Sequence, residues 1–243
     1  MIQIRTLFIS DIHLGTSKSR ADKLLDVFRM YNFEELIIIG DLIDLTSLKR
    51  KFYWKPDHST VIQKILRLSR KGVNIKYIIG NHDFYLRGLI QEENINIGDI
   101  QLCDDAIYTT KNGEKIYICH GDQFDGFIRL HPILYILGDW AYELSFKINK
   151  IYNFFRKVFR MEYWSLSAFL KKKVKNVISF LNDFKILSIK KAKEMNCDSI
   201  MIGHIHTPAI DKMDINYYNT GDFCESCSYI IENLDGNLEL LFI

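Results

Sequence analysis

The sequence predicts an α/β or α+β sandwich, a sheet core packed by helices and interrupted by one helical segment. Three observations lead there. Short apolar runs alternate with helix-periodic stretches through the first 120 residues. Strand-like runs return from about residue 199 onward, separated by turn signals. Between these blocks, over about 130–193, the chain is aromatic-rich and mostly helical in pattern, with no strand-like run bounded by turns.

In chain order, residues 6–10, 36–40, 75–79 and 115–119 are the first strand candidates. Helical spacing marks 20–31 and 59–70, where Val61, Ile62, Ile65, Leu66 and Leu68 recur three to four apart. Asn112-Gly113, between 107–110 and 116–119, is a hairpin signal, because the tight turn needs residues that tolerate positive φ. Later strand candidates are 199–203, 215–219, 229–232 and 238–242, the last two joined across Asp235-Gly236. No internal repeat or low-complexity linker divides the chain. The expectation is one domain over 1–243 with a helical insertion at about 130–193.

Bulk properties narrow the class. The apolar share of 48% is that of a globular protein able to bury a core, and a formal charge of +2 argues against a general nucleic-acid scavenger. The chain opens on "IQIRTLFIS" with no charged leader or apolar h-region, and no apolar run reaches the roughly 20 residues that span a bilayer. Five cysteines are odd in number and sparse, which fits a reducing compartment. Cys224 and Cys227 form one CxxC, at most half of a zinc site, and packing is its expected role. Cytoplasmic localisation is expected.

Five clusters carry the chemistry. They are "ISDIHLG" with Asp11 and His13, "IIIGDLID" with Asp41 and Asp44, "IIGNHD" with Asn81, His82 and Asp83, "YICHGD" with His120 and Asp122, and "MIGHIHTP" with His204 and His206. Each places metal-capable side chains at or just past the end of an apolar strand, and strand ends gather on one rim of a sheet fold. Singly, an Asp-x-His at a strand end is more often a turn residue than a ligand, and a His-x-His is explained by packing. Five together are not. Mixed oxygen and imidazole donors suit Mn²⁺, Fe²⁺ or Zn²⁺ rather than Ca²⁺ or a thiolate zinc site. Two such ions about 3.5–4 Å apart bind a phosphoryl oxygen together and supply a nucleophile from water. A carboxylate bridging them offsets their repulsion, and Asp41 is the candidate.

These clusters, in this order, resemble the calcineurin-like metallophosphoesterase superfamily. The resemblance implies a four-layer α/β-β/α sandwich and a metal-dependent hydrolase with two divalent ions, Mn²⁺ foremost. It implies that Asp11, His13, Asp41 and His206 hold one ion and that Asp41, Asn81, His120 and His204 hold the other. It makes His82 a catalytic residue facing the substrate phosphate rather than a ligand, with Asp83 orienting it. Asp44 is expected to stabilise its loop.

The substrate is sought in the insertion. There Lys147, Lys150, Arg156, Lys157, Arg160 and Lys171 to Lys173 interleave with Phe154, Phe155, Phe159, Trp164 and Phe169. That pattern suits a membrane surface or a lid over an amphiphile, and equally a helical pair with aromatics on the core and lysines in water. "GDLIDLTSLKRKFYW", "HGDQFD", "LGDWAYELSFKIN", "YWSLSAFLKKKVKN" and "YYNTGDFCESCS" resemble the UDP-2,3-diacylglucosamine hydrolase branch over nearly the whole chain. The resemblance implies hydrolysis of the pyrophosphate of that nucleotide-linked lipid to UMP and 2,3-diacylglucosamine 1-phosphate, in lipid A biosynthesis. It further implies that the insertion caps the site and takes up the acyl chains, and that the protein is peripheral on the inner membrane. Asn81, His82, Asp122, Ser165, Lys172 and His204 are the expected substrate contacts.

One position departs from that branch: His82 stands where its well-studied members carry arginine. Arginine clamps phosphate bidentately as a fixed charge, whereas histidine can also donate a proton. The same donor set would serve a phosphodiesterase acting on another lipid diphosphate or a nucleotide. A nuclease and a non-catalytic scaffold are further readings. The first lacks a recognisable capping or dimerisation region, and the second is disfavoured by the complete donor set. No nucleic-acid partner is expected, and the sequence does not specify an oligomeric state.

Overall fold

The computed structural model describes residues 1–88, 96–125, 153 and 175–243. The described strands are β1 (Ile2–Gln3), β2 (Thr6–Ile9), β3 (Tyr31–Asn32), β4 (Glu35–Ile39), β5 (Asn74–Ile78), β6 (Asn96–Ile97) and β7 (Ile100–Cys103). They continue as β8 (Asp105–Thr109), β9 (Lys115–Cys119), β10 (Ser199–Ile202), β11 (Ala209–Asp211), β12 (Asn216–Asn219), β13 (Ser228–Glu232) and β14 (Leu238–Phe242). The helices are α1 (Ala21–Met30), α2 (Leu45–Arg50), α3 (Pro56–Arg70) and α4 (Lys175–Glu194).

Two mixed sheets form the sandwich. The larger runs β14-β13-β2-β4-β5-β7-β6, and the smaller runs β11-β12-β10-β9-β8. Strict alternation along each strand builds both cores. Leu7, Ile9, Leu36, Ile38, Ile75 and Tyr77 face α1 and α3, where Leu24, Phe28, Val61 and Ile65 meet them. Phe8, Ile37, Ile39 and Ile78 point the other way, onto Tyr108, Ile116, Ile118, Met201 and Tyr218 of the smaller sheet. Strands with both faces buried read as continuous apolar runs, which is why "LIII" and "SIMI" carry no polar alternation.

Register places the loops. β2, β4 and β5 run parallel, as do β9, β10 and β12, so the loops following β2, β4, β5, β9 and β10 leave at strand C-termini. Each predicted strand is present, and residues 10, 40, 79 and 203 fall just outside because the chain turns there. Tyr31, expected to end a helix, instead pairs with Ile2 in a two-stranded parallel ladder. Elements with no period to read were missed: α2, β1, β3, β6, β7 and β11. The Asn112-Gly113 and Asp235-Gly236 hairpins form, with Gly113 and Gly236 at positive φ.

The chain divides into two compact units, Met1–Asp122 with Ser188–Ile243, and Gln123–Leu187. Within the second, Phe124 and Phe184 are buried edge to face at 5.7 Å. The segment expected to form the lid, including Ser165 and Lys172, lies outside the described residues apart from Asn153 and α4.

Candidate metal centre

Seven non-glycine residues among those described adopt left-handed backbone, and five of them are Asp11, His13, Asp41, His204 and His206. A left-handed turn costs an L-residue about 1–2 kcal/mol. Five at one rim means that the loops are bent to bring these side chains inward, a concentration found at functional sites.

The side chains converge. His206 Nε2 lies 3.1 Å from Asp11 Oδ1, and His13 Nε2 lies 3.8 Å from Asp11 Oδ1 and from Asp41 Oδ2. His120 Nε2 lies 3.3 Å from Asp41 Oδ2 and 3.1 Å from Asn81 Oδ1. Three donor triplets overlap here: Asp11, His13 and His206; Asp11, Asp41 and His120; and His13, Asp41 and His82. His204 stands edge to face with His120 at 5.0 Å, and its backbone N–H donates to Asp11 Oδ2 at 2.9 Å.

Tautomers follow from the outer partners. His120 Nδ1 lies 2.9 Å from the carbonyl of Ile39, which only accepts, so Nδ1 donates there and Nε2 is the nitrogen turned toward Asp41 and Asn81. His13 does the same through Asp44: Nδ1 donates to Oδ2 at 3.2 Å, and Nε2 faces inward, 3.4 Å from His206 Nε2. Asp11 Oδ1 is buried without a hydrogen-bond partner.

The local charge balance favours a cation. Burial alone would raise the pKa of Asp11 and Asp41, but His206 facing the first and His120 facing the second outweigh it and hold both ionised. Burial would depress His120, yet Asp41 lifts it to about 10, and His13 is raised by Asp11 and Asp44 against the same burial. Two buried carboxylates with inward imidazole nitrogens demand positive charge between them, from protons or from metal ions. The Asp11 oxygen that lacks a hydrogen bond and the inward imidazole nitrogens fit a divalent ion, which would take the place of those protons.

Glycines make the convergence sterically possible. A Cβ on Gly40 would overlap the His120 ring, one on Gly80 the Asp41 carboxylate, and one on Gly203 the Asp11 carboxylate. This is the physical reason for glycine before Asp41, Asn81 and His204.

Two expectations are corrected. Asp83 does not orient the His82 ring: its oxygens accept from Leu42 N at 3.1 Å, from Gly80 N and from the Tyr77 hydroxyl. It braces the turn itself, with its pKa pushed up to about 7 by burial and by Asp41. The carboxylate beside the His82 ring is Asp44, with Oδ1 3.1 Å from Nδ1, close as an ion pair although off the line of a hydrogen bond. The same Oδ1 accepts from Ser47 N at 2.6 Å, so Asp44 caps α2, as a loop-stabilising residue should, and also meets two histidines. Asp122 is not free for substrate, because Arg87 grips both of its oxygens at 3.1 Å. Arg87 also donates to Ile79 O at 3.1 Å and pairs with Asp104, tying the loop after β5 to the loop after β9. Sequence reasoning missed it, and its only signal was a lone basic residue four after Asp83. Asp222 was also missed. It caps the turn of residues 222–226 through Cys224 N, Glu225 N and Ser226 Oγ, with Oδ2 3.9 Å from His206 Nδ1.

Residues 4–208 match the family described as calcineurin-like phosphoesterase. A UDP-2,3-diacylglucosamine hydrolase of Histophilus somni is 32% identical over 127 residues, 49% of this chain and 49% of that protein. The match thus spans about half the length of that relative. A protein of the same name from Vibrio parahaemolyticus is 28% identical over 253 residues, 95% of each chain. Among solved structures, an archaeal phosphodiesterase is similar with a TM-score of 0.47 and 14% identity, covering 98% of this chain and 99% of that one.

Proposed function

The chain belongs to the calcineurin-like phosphoesterase family, and from that premise we propose that it hydrolyses the pyrophosphate bond of UDP-2,3-diacylglucosamine. The products are UMP and 2,3-diacylglucosamine 1-phosphate, an intermediate of lipid A synthesis. The observation that carries the proposal is the overlap of donor triplets on Asp11 and Asp41, which suits two adjacent ions and a phosphoryl group. Similarity over 95% of the chain to hydrolases named for this lipid supports the choice of substrate.

In this proposal Asp11, His13, Asp41 and His206 hold one divalent ion, and Asp41, Asn81, His120 and His204 hold the second. Mn²⁺ is favoured, with Fe²⁺ or Zn²⁺ compatible with the donors. When bound, such ions polarise phosphoryl oxygens and lower the pKa of water. Asp44 keeps His13 in the tautomer that faces inward. His82 is fixed through its backbone N–H to Asp41 Oδ1 at 2.9 Å. With Nδ1 beside Asp44, its Nε2 is the nitrogen left to meet a phosphoryl oxygen or to protonate the departing one. Asn81 and His204 stay proposed substrate contacts beside it. Ser165 and Lys172, outside the described residues, stay proposed contacts to the lipid portion.

The protein then works in the cytoplasm, peripheral on the inner membrane, with the insertion over the acyl chains. No helix among the described residues is long and apolar enough to cross a membrane. The test is incubation of the Mn²⁺-loaded protein with UDP-2,3-diacylglucosamine, bis-p-nitrophenyl phosphate and single-stranded DNA. UMP release from the first is expected. Turnover of either other substrate without UMP release overturns the lipid assignment. His82→Ala should keep both ions and lose about 10²–10⁴-fold in turnover.

A further inference from the structure

We propose that the C-terminal end of α2 and the segment after it form a docking surface for an anionic phospholipid bilayer. The proposal rests on the lipid reading for its purpose and names a partner surface on the described sandwich, built from residues outside 130–193. Lys49, Arg50, Lys51 and Lys55 are exposed there, and no acidic residue occurs from Leu45 to Pro56. Phe52 stands among them with 78% of its surface exposed, an unfavourable setting in water for so large an apolar ring.

The segment is anchored on both sides of that ring. Lys51 N–H donates to Ser47 O at 2.9 Å, and Trp54 packs on the core while its Nε1–H donates to Ser59 Oγ at 2.8 Å. Phe52 is therefore held outward by fixed neighbours. Phe84 and Tyr85 add two more exposed rings, 4.1 Å apart by centroids. Lys49 joins the two groups: its Nζ donates to the Tyr85 hydroxyl at 3.3 Å and sits 5.2 Å from the ring centroid. Three residues of chain span at most about 11 Å, so the exposed Phe52 lies within that reach of the exposed Lys49.

Aromatic rings set among cations suit the boundary of headgroups and acyl chains, rings at the boundary and cations at the phosphates. The distance to the site agrees. α2 begins beside Asp44 and is six residues long, which is roughly 9 Å, against roughly 5–8 Å for one headgroup layer. A lipid whose phosphate lies at the metal centre thus has a surface of matching chemistry within about one helix length of α2. A polynucleotide would want rings spaced along a basic groove, whereas Phe84 and Tyr85 sit against each other, 4.1 Å apart by centroids.

The experiment is co-sedimentation of the full chain with vesicles of phosphatidylcholine, with and without phosphatidylglycerol, at low and high salt. Binding to the anionic vesicles that fades with salt is expected. Each lysine near such a surface is worth roughly fivefold in partition, so Lys51→Glu should weaken it at least about fivefold. Phe52→Ser should weaken it at both salt concentrations. Thermal melts of the variants should match the parent, since these side chains are exposed. Variants that sediment as the parent does overturn the proposal. So does a loss of single-stranded DNA binding in place of vesicle binding. Vesicle binding that follows the variants while UDP-2,3-diacylglucosamine stays intact would sink the substrate assignment and leave the surface standing.

Discussion

Replacing Gly80 with alanine isolates the geometry of the metal centre from every change of charge. Gly80 is not among the residues at positive φ, so alanine is allowed there by its backbone, and only space opposes it. The added Cβ would lie 2.7 Å from Asp41 N and 2.9 Å from Asp41 Cγ, and would overlap Oδ1. Carbon contacts are comfortable at about 3.5–4.0 Å, so the carboxylate must retreat by roughly 1 Å. Asp41 has little freedom to do so, since Oδ1 accepts from His82 N and Oδ2 faces His120. Overpacking of this kind costs about 1–3 kcal/mol, or roughly 2–12 °C in Tm for a chain of this size. Metal–ligand distances tolerate only about 0.2 Å, so bound Mn²⁺ should fall by at least one equivalent in equilibrium dialysis. Gly72→Ala is the control. Gly72 has φ +87° with nothing within 4 Å of its Cβ direction, so alanine there is strained by about 1–2 kcal/mol while the centre stays intact. Comparable melting losses, with metal lost only from Gly80→Ala, are expected. A folded Gly80→Ala that binds two equivalents as tightly as the parent would refute the reasoning.

Arg87→Met should destabilise the protein by about 1–2 kcal/mol in urea melts, discounted because a third of the side chain is exposed. Arg87→Lys should recover little, since an ammonium cannot grip both Asp122 oxygens, and full recovery would contradict the clamp. His58 is buried with Nδ1 accepting from Gly15 N at 3.2 Å, and its pKa is lowered by burial and by Lys55. The unfolded chain therefore takes up a proton below about pH 6.5 that the folded one refuses, so stability should fall as pH drops through that value. The difference in unfolding free energy between parent and His58→Gln, followed from about pH 7.5 to about pH 5.5, should shrink, and a flat difference would reject the assignment. Burial pushes the thiols of Cys103 and Cys227 up to about 11 and that of Cys224 well above its usual value. Alkylation of the native protein at about pH 8 should run on the order of a hundredfold slower than in urea. Rapid labelling of Cys224 or Cys227 would instead favour a reactive CxxC.

The clusters at strand ends were legible because their backbone logic is local. An apolar run terminates at glycine, and the residues just beyond emerge at the C-terminal rim whatever the rest of the fold does. Asp11, His13, Asp41, Asn81, His120 and His206 were found that way, and their side chains do converge. Asp83 and Asp44 were harder to tell apart, because both are acids beside His82 in the chain or in space. Which one meets the ring depends on where Leu42 N, Gly80 N and the Tyr77 hydroxyl fall, the first from the loop after β4 and the other two from β5 and the turn after it.

The sequence by itself determined the alternation that buries both faces of β2 and β4, the hairpins at Asn-Gly and Asp-Gly, and the set of donors at the rim. Each is written in a period of two or in one residue's allowed dihedrals, and neither needs a distant partner. Only the tertiary structure decided that the strands sort into two facing sheets, that Asp44 rather than Asp83 stands beside His82, and that Arg87 occupies Asp122. The sorting rests on pairing between strands far apart in the chain, and the two carboxylate outcomes on which groups lie beside each acid once those strands assemble.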